Sequence, residues 1–567
     1  MASMRQNILT GAEAMVRLLQ AHGVTHIFGL CGDTSLPFYD ALHRLDHGMT
    51  HVLTRDERHA AYMADGYARV TGRVGVCEGP SGGGATYILP GIVEANESSI
   101  PVLAITTDVS VPSAGHYPLT ELDQAGLFRP LTKWNGLIDS PARLPTMVRE
   151  AFRAMTTGTP GAAHLGLPFD VQKAEVSSDD IWAQEDFGSY PAWPGAPSAS
   201  AVEEAVRALR DARFPVVVCG GGVVIAGAEA ELQHLAERLD LVVATTISGQ
   251  GSLADTHPNC LGVVGSNGGV AETRAVVEEA DLVVFIGCRA GSVTTERWRF
   301  PAAGTRIVHI DSNPMAISAN YRTEAAIVAD ARLALAAINT ALDADGAEAS
   351  GFAGAARVAA AKQAKFEAFD RLAGSGETPI RPERVVAALN EVLPDDAVVV
   401  ADPGTPCPYF SAFYRASRPG RHFISNRAHG ALGYALPAAM GVQMGRPDAT
   451  VAAVMGDGSF GFAAGEFETI VRLDLPITFV VFSNAVYGWI KAGQKAGFGE
   501  RYFSVDFSRT DHAAVAAAYG LKTWRVEDPE ALTATLRQAV AHDGPALVDV
   551  ISQPLHEARA PVSEWIA

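Results

Sequence analysis

Two apolar stretches in the last quarter of the chain run directly into polar loops: residues 451–459 read VAAVMGDGS, and residues 477–488 read ITFVVFSNAVYG. Short continuous apolar runs of this kind are typical of strands buried in a parallel sheet. Asp457 and Asn484, which are 27 positions apart, therefore follow the carboxyl ends of two strands, where open α/β sheets bind ligands. Together the two stretches predict an α/β domain with a functional site at that edge of its sheet.

The residue types at these strand ends suit a hard cation and a phosphate group. Asp457 and Asn484 each offer a side-chain oxygen, and magnesium takes oxygen ligands, of which only one or two usually come from carboxylates. Gly456 and Gly458 flank the aspartate, and because they lack a Cβ they let backbone N–H groups approach a phosphate. A Gly-Asp-Gly-Ser turn by itself is common, so the flanking strands and the spacing to Asn484 are what favour a magnesium site.

Outward from this segment, apolar strands alternate with helices along the whole chain in three blocks. This alternation predicts an α/β protein of three domains, each a doubly wound parallel sheet covered by helices on both faces. We place the domains at residues 1–176, 201–342 and 381–567, with linkers at residues 177–200 and 343–380. A chain of 567 residues is also too long for one core and suits about three domains.

Composition narrows the class of protein. The chain carries 44 Lys and Arg against 63 Asp and Glu, a net charge of −19, and no run rich in Lys or Arg. This argues against nucleic acid or an anionic membrane as a partner and leaves a small-molecule substrate. Six cysteines without a CxxC pair indicate a reduced compartment. The N-terminus shows no secretory pattern and no run of about 18 apolar residues is present, so we expect a cytoplasmic protein.

A second informative segment lies in the first domain, where residues 55–69 read RDERHAAYMADGYAR. Glu57 stands where a strand turns into a helix, a place where a lone carboxylate usually only complements the helix dipole. Together with the GDGS-to-Asn484 spacing, however, this segment resembles the thiamine-diphosphate-dependent enzymes. Segments that follow in the order of that family are Phe28–Gly32, Gly79–Gly82, Pro101–Thr106, Leu131–Asn135 and Gly420–Pro437.

The resemblance covers nearly the whole chain and points to the group of acetolactate synthase, benzaldehyde lyase and oxalyl-CoA decarboxylase. It implies a pyrimidine-binding domain, a central Rossmann-like domain and a diphosphate-binding domain. It further implies that Glu57 activates the cofactor through its aminopyrimidine, and that Glu57 of one subunit meets the magnesium site of another in a homodimer or homotetramer. Magnesium would be held by Asp457, Asn484 and the backbone carbonyl of Val486. The implied cofactor-binding residues are Thr405, Gly430, Leu432, Gly456, Asp457, Gly458, Ser459, Asn484 and Val486.

Some of these positions have a second interpretation. Leu432 falls where the family props the cofactor into a V shape, but it is equally an ordinary core leucine. Ser483 stands where the family often has a second Asn, a departure outside the ligand position. His429 is either an acid/base or a structural histidine, and Trp489 is either a pocket wall or a core aromatic.

The positions that would contact substrate depart from the synthase pattern. The synthases have Phe-Gln-Glu where this chain has Leu119-Thr120-Glu121, a Met at Trp489 and a Trp at Gly493. The pocket therefore has a different shape, and 2-acetolactate is not an assured product. The predicted pocket residues are Cys31, Gly32, Leu119, Thr120, Glu121, His429, Trp489 and Gly493.

These observations predict a lyase or carboligase that acts on a 2-keto acid or a 2-hydroxyacyl compound with thiamine diphosphate and magnesium. One alternative is a 2-hydroxyacyl-CoA lyase or an oxalyl-CoA decarboxylase-like enzyme that acts on a CoA thioester. Another is a non-catalytic paralogue that binds the cofactor, although such a protein should have lost Glu57. FAD or ADP in the central domain stays open, because Gly220–Gly222 is either a nucleotide loop or a tight turn, and Asp311 either holds a ribose or caps the next turn.

Overall fold

The computed structural model of the protein describes residues 8–344, 351–558 and 560–564. It contains three sheets of six parallel strands each and one antiparallel pair of short strands. This confirms the predicted α/β class with three parallel sheets. The domain limits stay a prediction, and the parts of them that fall on residues 1–7, 345–350, 559 and 565–567 lie outside the described residues.

The first block of the chain builds one six-stranded sheet. In chain order its elements are β1 (Ile8–Thr10), α1 (Gly11–Ala21), β2 (His26–Gly29), α2 (Leu36–Arg44), β3 (Thr50–Leu53), α3 (Glu57–Thr71), β4 (Gly75–Gly79), α4 (Gly83–Tyr87), α5 (Leu89–Glu97), β5 (Val102–Asp108), α6 (Gln124–Phe128), β6 (Trp134–Leu137), α7 (Leu144–Thr156), β7 (Ala163–Pro168), α8 (Phe169–Lys173) and β8 (Glu175–Ser177). The strand order is β3-β2-β4-β5-β7-β6, and β1 pairs with β8 outside this sheet. Strands β4, β5 and β7 are buried along their whole length, as a sheet with helices on both faces requires.

The central block repeats the plan. Its elements are α9 (Ala199–Arg210), β9 (Pro215–Cys219), α10 (Gly221–Ile225), α11 (Glu229–Leu239), β10 (Val242–Thr245), β11 (Cys260–Val263), α12 (Ala271–Glu278), β12 (Leu282–Ile286), β13 (Arg306–Asp311), β14 (Ala325–Val328) and α13 (Ala331–Ala344). The strand order is β11-β10-β9-β12-β13-β14. The second linker, which its Ala, Lys and Glu content predicts to be partly helical, contains a long helix, α14 (Gly354–Ala373).

The third block carries Asp457 and Asn484. Its elements are α15 (Pro382–Val392), β15 (Val398–Ala401), α16 (Pro406–Phe413), β16 (Phe423–Ser425), α17 (Ala435–Gly445), β17 (Val451–Gly456), α18 (Asp457–Ala463), α19 (Phe467–Arg472), β18 (Ile477–Ser483), α20 (Gly488–Gly497), α21 (His512–Tyr519), β19 (Lys522–Val526), α22 (Leu532–Val540) and β20 (Ala546–Ile551). The strand order is β16-β15-β17-β18-β20-β19, so β17 and β18 are neighbours at the centre of the sheet.

The chain divides into two compact units. The first unit holds the described residues up to Trp193 together with Ala428–Asp448 and Gly465–Leu473, and the second unit holds the rest. Helices α17 and α19 of the third block thus belong to the first unit, whereas the sheet of that block belongs to the second.

Inside the first unit, α3 and α17 pack backbone against backbone. A Cβ on Gly66 would lie 2.3 Å from the carbonyl oxygen of Ala438, and a Cβ on Gly441 would lie 1.9 Å from that of Met63. Both distances are too short for a carbon atom, so only glycine permits this approach. The contact fixes α17, and with it the loop that precedes α17, against the helix that begins at Glu57.

None of the helices in the described part of the chain has both the length and the apolar content that crossing a bilayer requires.

Candidate active site

In the second unit, Asp457 follows β17 directly and is the first residue of α18. Its buried carboxylate accepts three backbone N–H groups: Gly458 donates to Oδ1 at 2.9 Å, and Asn484 and Ala485 donate to Oδ2 at 2.7 and 2.6 Å. Burial raises the pKa of Asp457, and these N–H groups oppose the rise because they stabilise the charged form. The carboxylate is therefore held in one orientation at the end of its strand.

Asn484 lies beside it, one residue past the end of β18. Both polar atoms of its side chain, Oδ1 and Nδ2, are buried and have no hydrogen-bond partner among the described residues. Leaving a buried polar group unsatisfied costs about 1–3 kcal/mol. A ligand that bonds to Oδ1 would offset part of that cost, so the side chain fits a role as an oxygen ligand.

The loop after Asn484 is fixed by backbone contacts. Ala485 adopts a left-handed conformation, with φ of 58°. The N–H of Tyr487 donates to the carbonyl of Val505 at 2.9 Å, and the N–H of Phe507 donates to the carbonyl of Ala485 at 3.0 Å. These two bonds form the bridge between Val486 and Asp506, and the carbonyl of Val486 is not one of their acceptors. These bonds therefore leave unused the carbonyl that is predicted as the third ligand.

The donor set fits magnesium better than a metal that needs several charged ligands. Within the described ranges, no group of three or more His, Cys, Asp and Glu side chains suited to a metal occurs. One carboxylate, one amide and one backbone carbonyl leave the rest of an octahedral shell to phosphate and water, as magnesium sites in enzymes usually do.

The other predicted cofactor residues of this unit surround the same strand end. A Cβ on Gly458 would lie 2.7 Å from the ring of Tyr487, and a Cβ on Gly456 would have Thr405 Oγ1 as its nearest neighbour at 4.0 Å. Thr405, immediately before α16, and Ser459 in α18 are both buried. The structure thus brings Thr405, Gly456, Asp457 and Asn484 to one edge of one sheet.

Ser483, the departure from the family pattern, makes its own contacts. Its hydroxyl donates to Asp549 Oδ1 and lies 2.8 Å from His512 Nδ1. His512 begins α21 and Asp549 lies within β20, and all three residues are buried. Sequence reasoning missed His512 and Asp549. An acidic residue inside the otherwise apolar run ALVDVI was the available signal for Asp549.

In the first unit, Glu57 is the first residue of α3, and only 7% of it is exposed. The helix is capped by Asp56, whose side chain accepts the N–H of Arg58 at 2.8 Å. Glu57 packs against two glycines: a Cβ on Gly84 would lie 3.1 Å from its Oε1, and one on Gly79 would lie 3.3 Å from its Cγ. Burial raises the pKa of Glu57, and the negative charges of Asp56 and Glu78 add to the rise. Such a carboxyl exchanges a proton nearer to neutral pH than an exposed one does.

A second carboxyl that the sequence argument missed lies next to this position. Glu78, near the end of β4, is fully buried, and its pKa is raised by burial. The hydroxyl of Tyr39 donates to its Oε1, and His51 Nε2 lies 3.4 Å from the same oxygen. The signal in the sequence was an acidic residue within the strand GVCEG at residues 75–79.

The loop that carries Gly430 and Leu432 is held by a buried ionic network in the same unit. The backbone N–H of His429 donates to Glu94 Oε2 at 2.7 Å, and Arg69 joins Glu94 and Asp65 at 3.2 and 2.8 Å. The hydroxyl of Tyr434 donates to Asp65 at 2.5 Å. Gly430, with φ of 76°, takes a conformation that favours glycine. His429 thus contributes its backbone to this network, and Leu432 lies half-buried within the loop.

The predicted pocket residues divide between the two units. In the first unit Leu119 is 87% exposed, the hydroxyl of Thr120 lies 2.6 Å from that of Ser81, and Glu121 accepts the N–H of Gly115 at 2.5 Å. Cys31 is an exposed thiol, and Gly32 packs against Pro80. In the second unit Trp489 and Gly493 lie on α20 and are half-buried, with Trp489 packed against the core.

The glycine turn of the central block is explained by packing. A Cβ on Gly220 would lie 2.1 Å from the carbonyl oxygen of Gly287, and one on Gly222 would lie 2.7 Å from the Cα of Gly287. The carboxylate of Asp311 accepts the N–H of Asn313 at 2.8 Å, as expected of a side chain that caps the following turn. Close packing at the end of β12 therefore accounts for Gly220 and Gly222.

Comparison with protein families gives three matches in chain order. Residues 9–127 match the thiamine pyrophosphate enzyme N-terminal TPP binding domain, residues 202–338 match the central domain, and residues 402–550 match the C-terminal TPP binding domain.

Individual relatives match over almost their full length. The chain is similar to a probable acetolactate synthase large subunit of Methanocaldococcus jannaschii, at 35% identity over 96% of this chain and 92% of the relative. It is also similar to an acetolactate synthase of Arthrospira platensis, at 32% identity over 96% and 94%, and to an acetolactate synthase large subunit of Haemophilus influenzae, at 30% identity over 94% and 92%.

Proposed function

Because the chain belongs to the thiamine pyrophosphate enzyme family, within the acetolactate synthase group, we propose that it uses thiamine diphosphate and one magnesium ion to make or break a carbon–carbon bond next to a carbonyl. Dependence on the cofactor and carboligase-type chemistry follow from the family. The use of magnesium and the identity of the substrates are what we propose.

One observation carries the proposal for magnesium: the buried carboxylate of Asp457 and the partnerless amide of Asn484 lie at the ends of adjacent parallel strands. Two carboxylate oxygens offer about four acceptor positions. Three backbone N–H groups use three of them, which leaves about one for a metal ion. Asp457, the amide oxygen of Asn484 and the carbonyl of Val486 would hold the ion, and Gly456 and Gly458 give a diphosphate access to backbone N–H groups.

When bound, thiamine diphosphate supplies an electron sink at its thiazolium carbon, and the protein supplies orientation and proton transfer. Glu57 is the residue we assign to proton transfer. Its carboxyl is buried at the start of α3, and burial raises its pKa, so it holds a proton at higher pH than an exposed glutamate does. Glu94 and Asp65, through His429 and Tyr434, hold the loop of Leu432 in place.

For the substrate we propose a 2-keto acid, since the relatives named above are acetolactate synthases. A second candidate is a CoA thioester of the 2-hydroxyacyl or oxalyl type. It is favoured by Gly493, where the synthase pattern has a Trp, because the space vacated there could admit the arm of CoA.

We further propose a homodimer or homotetramer in which Glu57 of one subunit works with Asp457 of another, as the family resemblance implies. A cytoplasmic location is consistent with the cysteines, all six of which are free thiols. No ligand is proposed for the central domain.

The experiment that tests this function is a turnover screen of the purified chain with thiamine diphosphate and magnesium. Pyruvate, oxalyl-CoA and a 2-hydroxyacyl-CoA are each supplied as the donor, and release of carbon dioxide and formation of an aldehyde or acyloin are followed. We expect turnover of pyruvate. Turnover of a thioester alone would establish the second candidate, and no magnesium-dependent turnover of any of the three would contradict the proposal.

A further inference from the structure

The buried trio of Ser483, His512 and Asp549 has a defined pattern of donors and acceptors. The single proton of the Ser483 hydroxyl is donated to Asp549 Oδ1. The serine oxygen must then accept from His512 Nδ1, 2.8 Å away, so that ring nitrogen carries a proton. Asp549 Oδ2 in turn accepts the backbone N–H of His512 at 3.2 Å. The carboxylate of β20 thereby joins the end of β18 to the start of α21.

This arrangement is not that of a nucleophilic serine. In a catalytic triad the serine donates its proton to the histidine, which acts as base, and the carboxylate binds the other ring nitrogen. Here the histidine donates to the serine and the serine donates to the carboxylate. Ser483 is also only 6% exposed. The histidine of the trio does not accept the proton of the serine and the serine is not exposed, so the role of the trio has to be sought in what it holds in place.

What it holds is the backbone immediately before Asn484, one of the proposed magnesium ligands. Ser483 immediately precedes Asn484, whose side chain has no protein partner to orient it. The N–H groups of Asn484 and Ala485 are anchored on Asp457. Asp457 therefore anchors the N–H groups of Asn484 and of the residue after it, while the trio anchors the residue before it, Ser483. The ring of His512 also packs edge-on against Phe460 of α18, with ring centroids 4.8 Å apart, so the trio contacts the helix that Asp457 begins.

We propose that Ser483, His512 and Asp549 are positioning residues of the magnesium site, which orient the amide of Asn484 through its backbone. This inference rests on the proposed function of Asp457 and Asn484 as magnesium ligands. It also gives a physical reason for the departure at Ser483: the serine hydroxyl reaches a carboxylate and an imidazole, and these anchor the loop.

The test is the affinity for Mg²⁺, measured by calorimetry on the full chain freed of metal and supplied with saturating thiamine diphosphate. Ser483→Ala removes the link to both partners while leaving every proposed ligand in place. Loss of a residue that supports a metal ligand typically weakens metal affinity by about 10–100-fold, and we expect a loss in that range. Ser483→Thr keeps the hydroxyl and should restore affinity.

A matched control separates positioning from general weakening of β18. Thr478 lies on the same strand, is 4% exposed and donates its hydroxyl to the carbonyl of Ala539 at 3.4 Å. Thr478→Val removes a buried hydroxyl remote from the loop and should leave the Mg²⁺ affinity unchanged. The thermal midpoints of the metal-free variants are measured alongside.

The outcomes distinguish this inference from the proposed function. If the wild-type chain binds no Mg²⁺ in the presence of the cofactor, the proposed function itself fails. If wild type binds and Ser483→Ala binds equally well, the positioning role is overturned while the site stands. An equal loss in Thr478→Val would also overturn it, because the effect would then belong to the strand as a whole.

Discussion

The backbone N–H of Asn484 donates to Oδ2 of Asp457 at 2.7 Å. Asn484 follows β18 and Asp457 follows β17, so this hydrogen bond joins the ends of two neighbouring strands. β17 and β18 run parallel with Gly456 opposite Phe482, and this register brings the two loops together. The same carboxylate that we assign to the metal thus also fixes the backbone of the second ligand. Loss of Asp457 should remove one ligand and loosen another.

We expect Asp457→Ala to abolish magnesium-dependent binding of thiamine diphosphate. The substitution removes the single carboxylate of the proposed donor set and the acceptor for three N–H groups. Calorimetric titration of the metal-free protein with cofactor and Mg²⁺ measures the effect. Asp506→Asn is the matched control, since Asp506 lies in the adjoining loop and pairs with Lys491 at 2.7 Å. Wild-type affinity in Asp457→Ala would remove the site assignment.

Two inactive variants should complement each other if active sites form between subunits. In a mixture of Glu57→Gln and Asp457→Ala subunits, a mixed dimer would hold one site with both defects and one site with neither. Random exchange between the two variants makes half of the dimers mixed, so about a quarter of wild-type activity should return. Activity is assayed after subunit exchange has been verified with a tagged chain. Mixed dimers that stay inactive would show that Glu57 and Asp457 act within one subunit.

Substituting the glycines between α3 and α17 should destabilise the protein. Gly66→Ala and Gly441→Ala each force a carbon into backbone atoms at 2.3 and 1.9 Å. Overpacking of this kind costs about 1–3 kcal/mol, and the thermal midpoint should fall in both variants. Gly83→Ala is the control, because a Cβ at Gly83 would meet nothing within 4 Å. A midpoint unchanged in Gly66→Ala and Gly441→Ala would contradict the packing described.

Asp108 should make stability depend on pH. This carboxyl at the end of β5 is 7% exposed, and burial raises its pKa to about 6. Its value in the unfolded chain is about 3.9, so the folded state binds the proton more tightly. The contribution of this proton to the stability of the fold is fully present below pH about 4 and is lost as the pH rises through about 6.

Asp108→Asn cannot ionise and should avoid that loss. We therefore expect the thermal midpoint of the variant to exceed that of wild type by more at pH 8 than at pH 5. The amide oxygen can still accept the N–H of Val109, which Asp108 Oδ1 accepts at 2.8 Å. A difference between the proteins that is the same at both pH values would rule out titration of Asp108 in this range.

The sequence alone was sufficient to predict those strands and helices whose signals lie within a short stretch of the chain. The apolar runs before Asp457 and Asn484 predicted two buried parallel strands, and the structure has them as neighbours. The helix that begins at Glu57 was predicted where the preceding strand turns into it. In each case a short segment carries both the structural signal and the functional residue.

The residues that were missed act across long separations in the chain. Glu94 bonds His429, 335 positions away, and Asp549 bonds Ser483, 66 positions away. Nothing in the local sequence identifies such a partner, because the pairing is set by the packing of whole elements. An acidic residue inside an apolar run, as at Glu78 and Asp549, indicates that a buried partner exists without indicating which one.

The most direct test of the proposed mechanism is exchange of the C2 proton of bound thiamine diphosphate for deuterium in Glu57→Gln. Affinity for the cofactor comes mainly from the proposed magnesium site, whereas Glu57 is assigned to proton transfer, so this variant should bind the cofactor normally. A general acid or base typically raises a reaction rate by about 10²–10⁴-fold. We expect the rates of proton exchange and of turnover both to fall by a factor near the upper end of that range. Exchange as fast as in wild type would show that Glu57 only complements its helix, and the mechanism proposed here would be wrong.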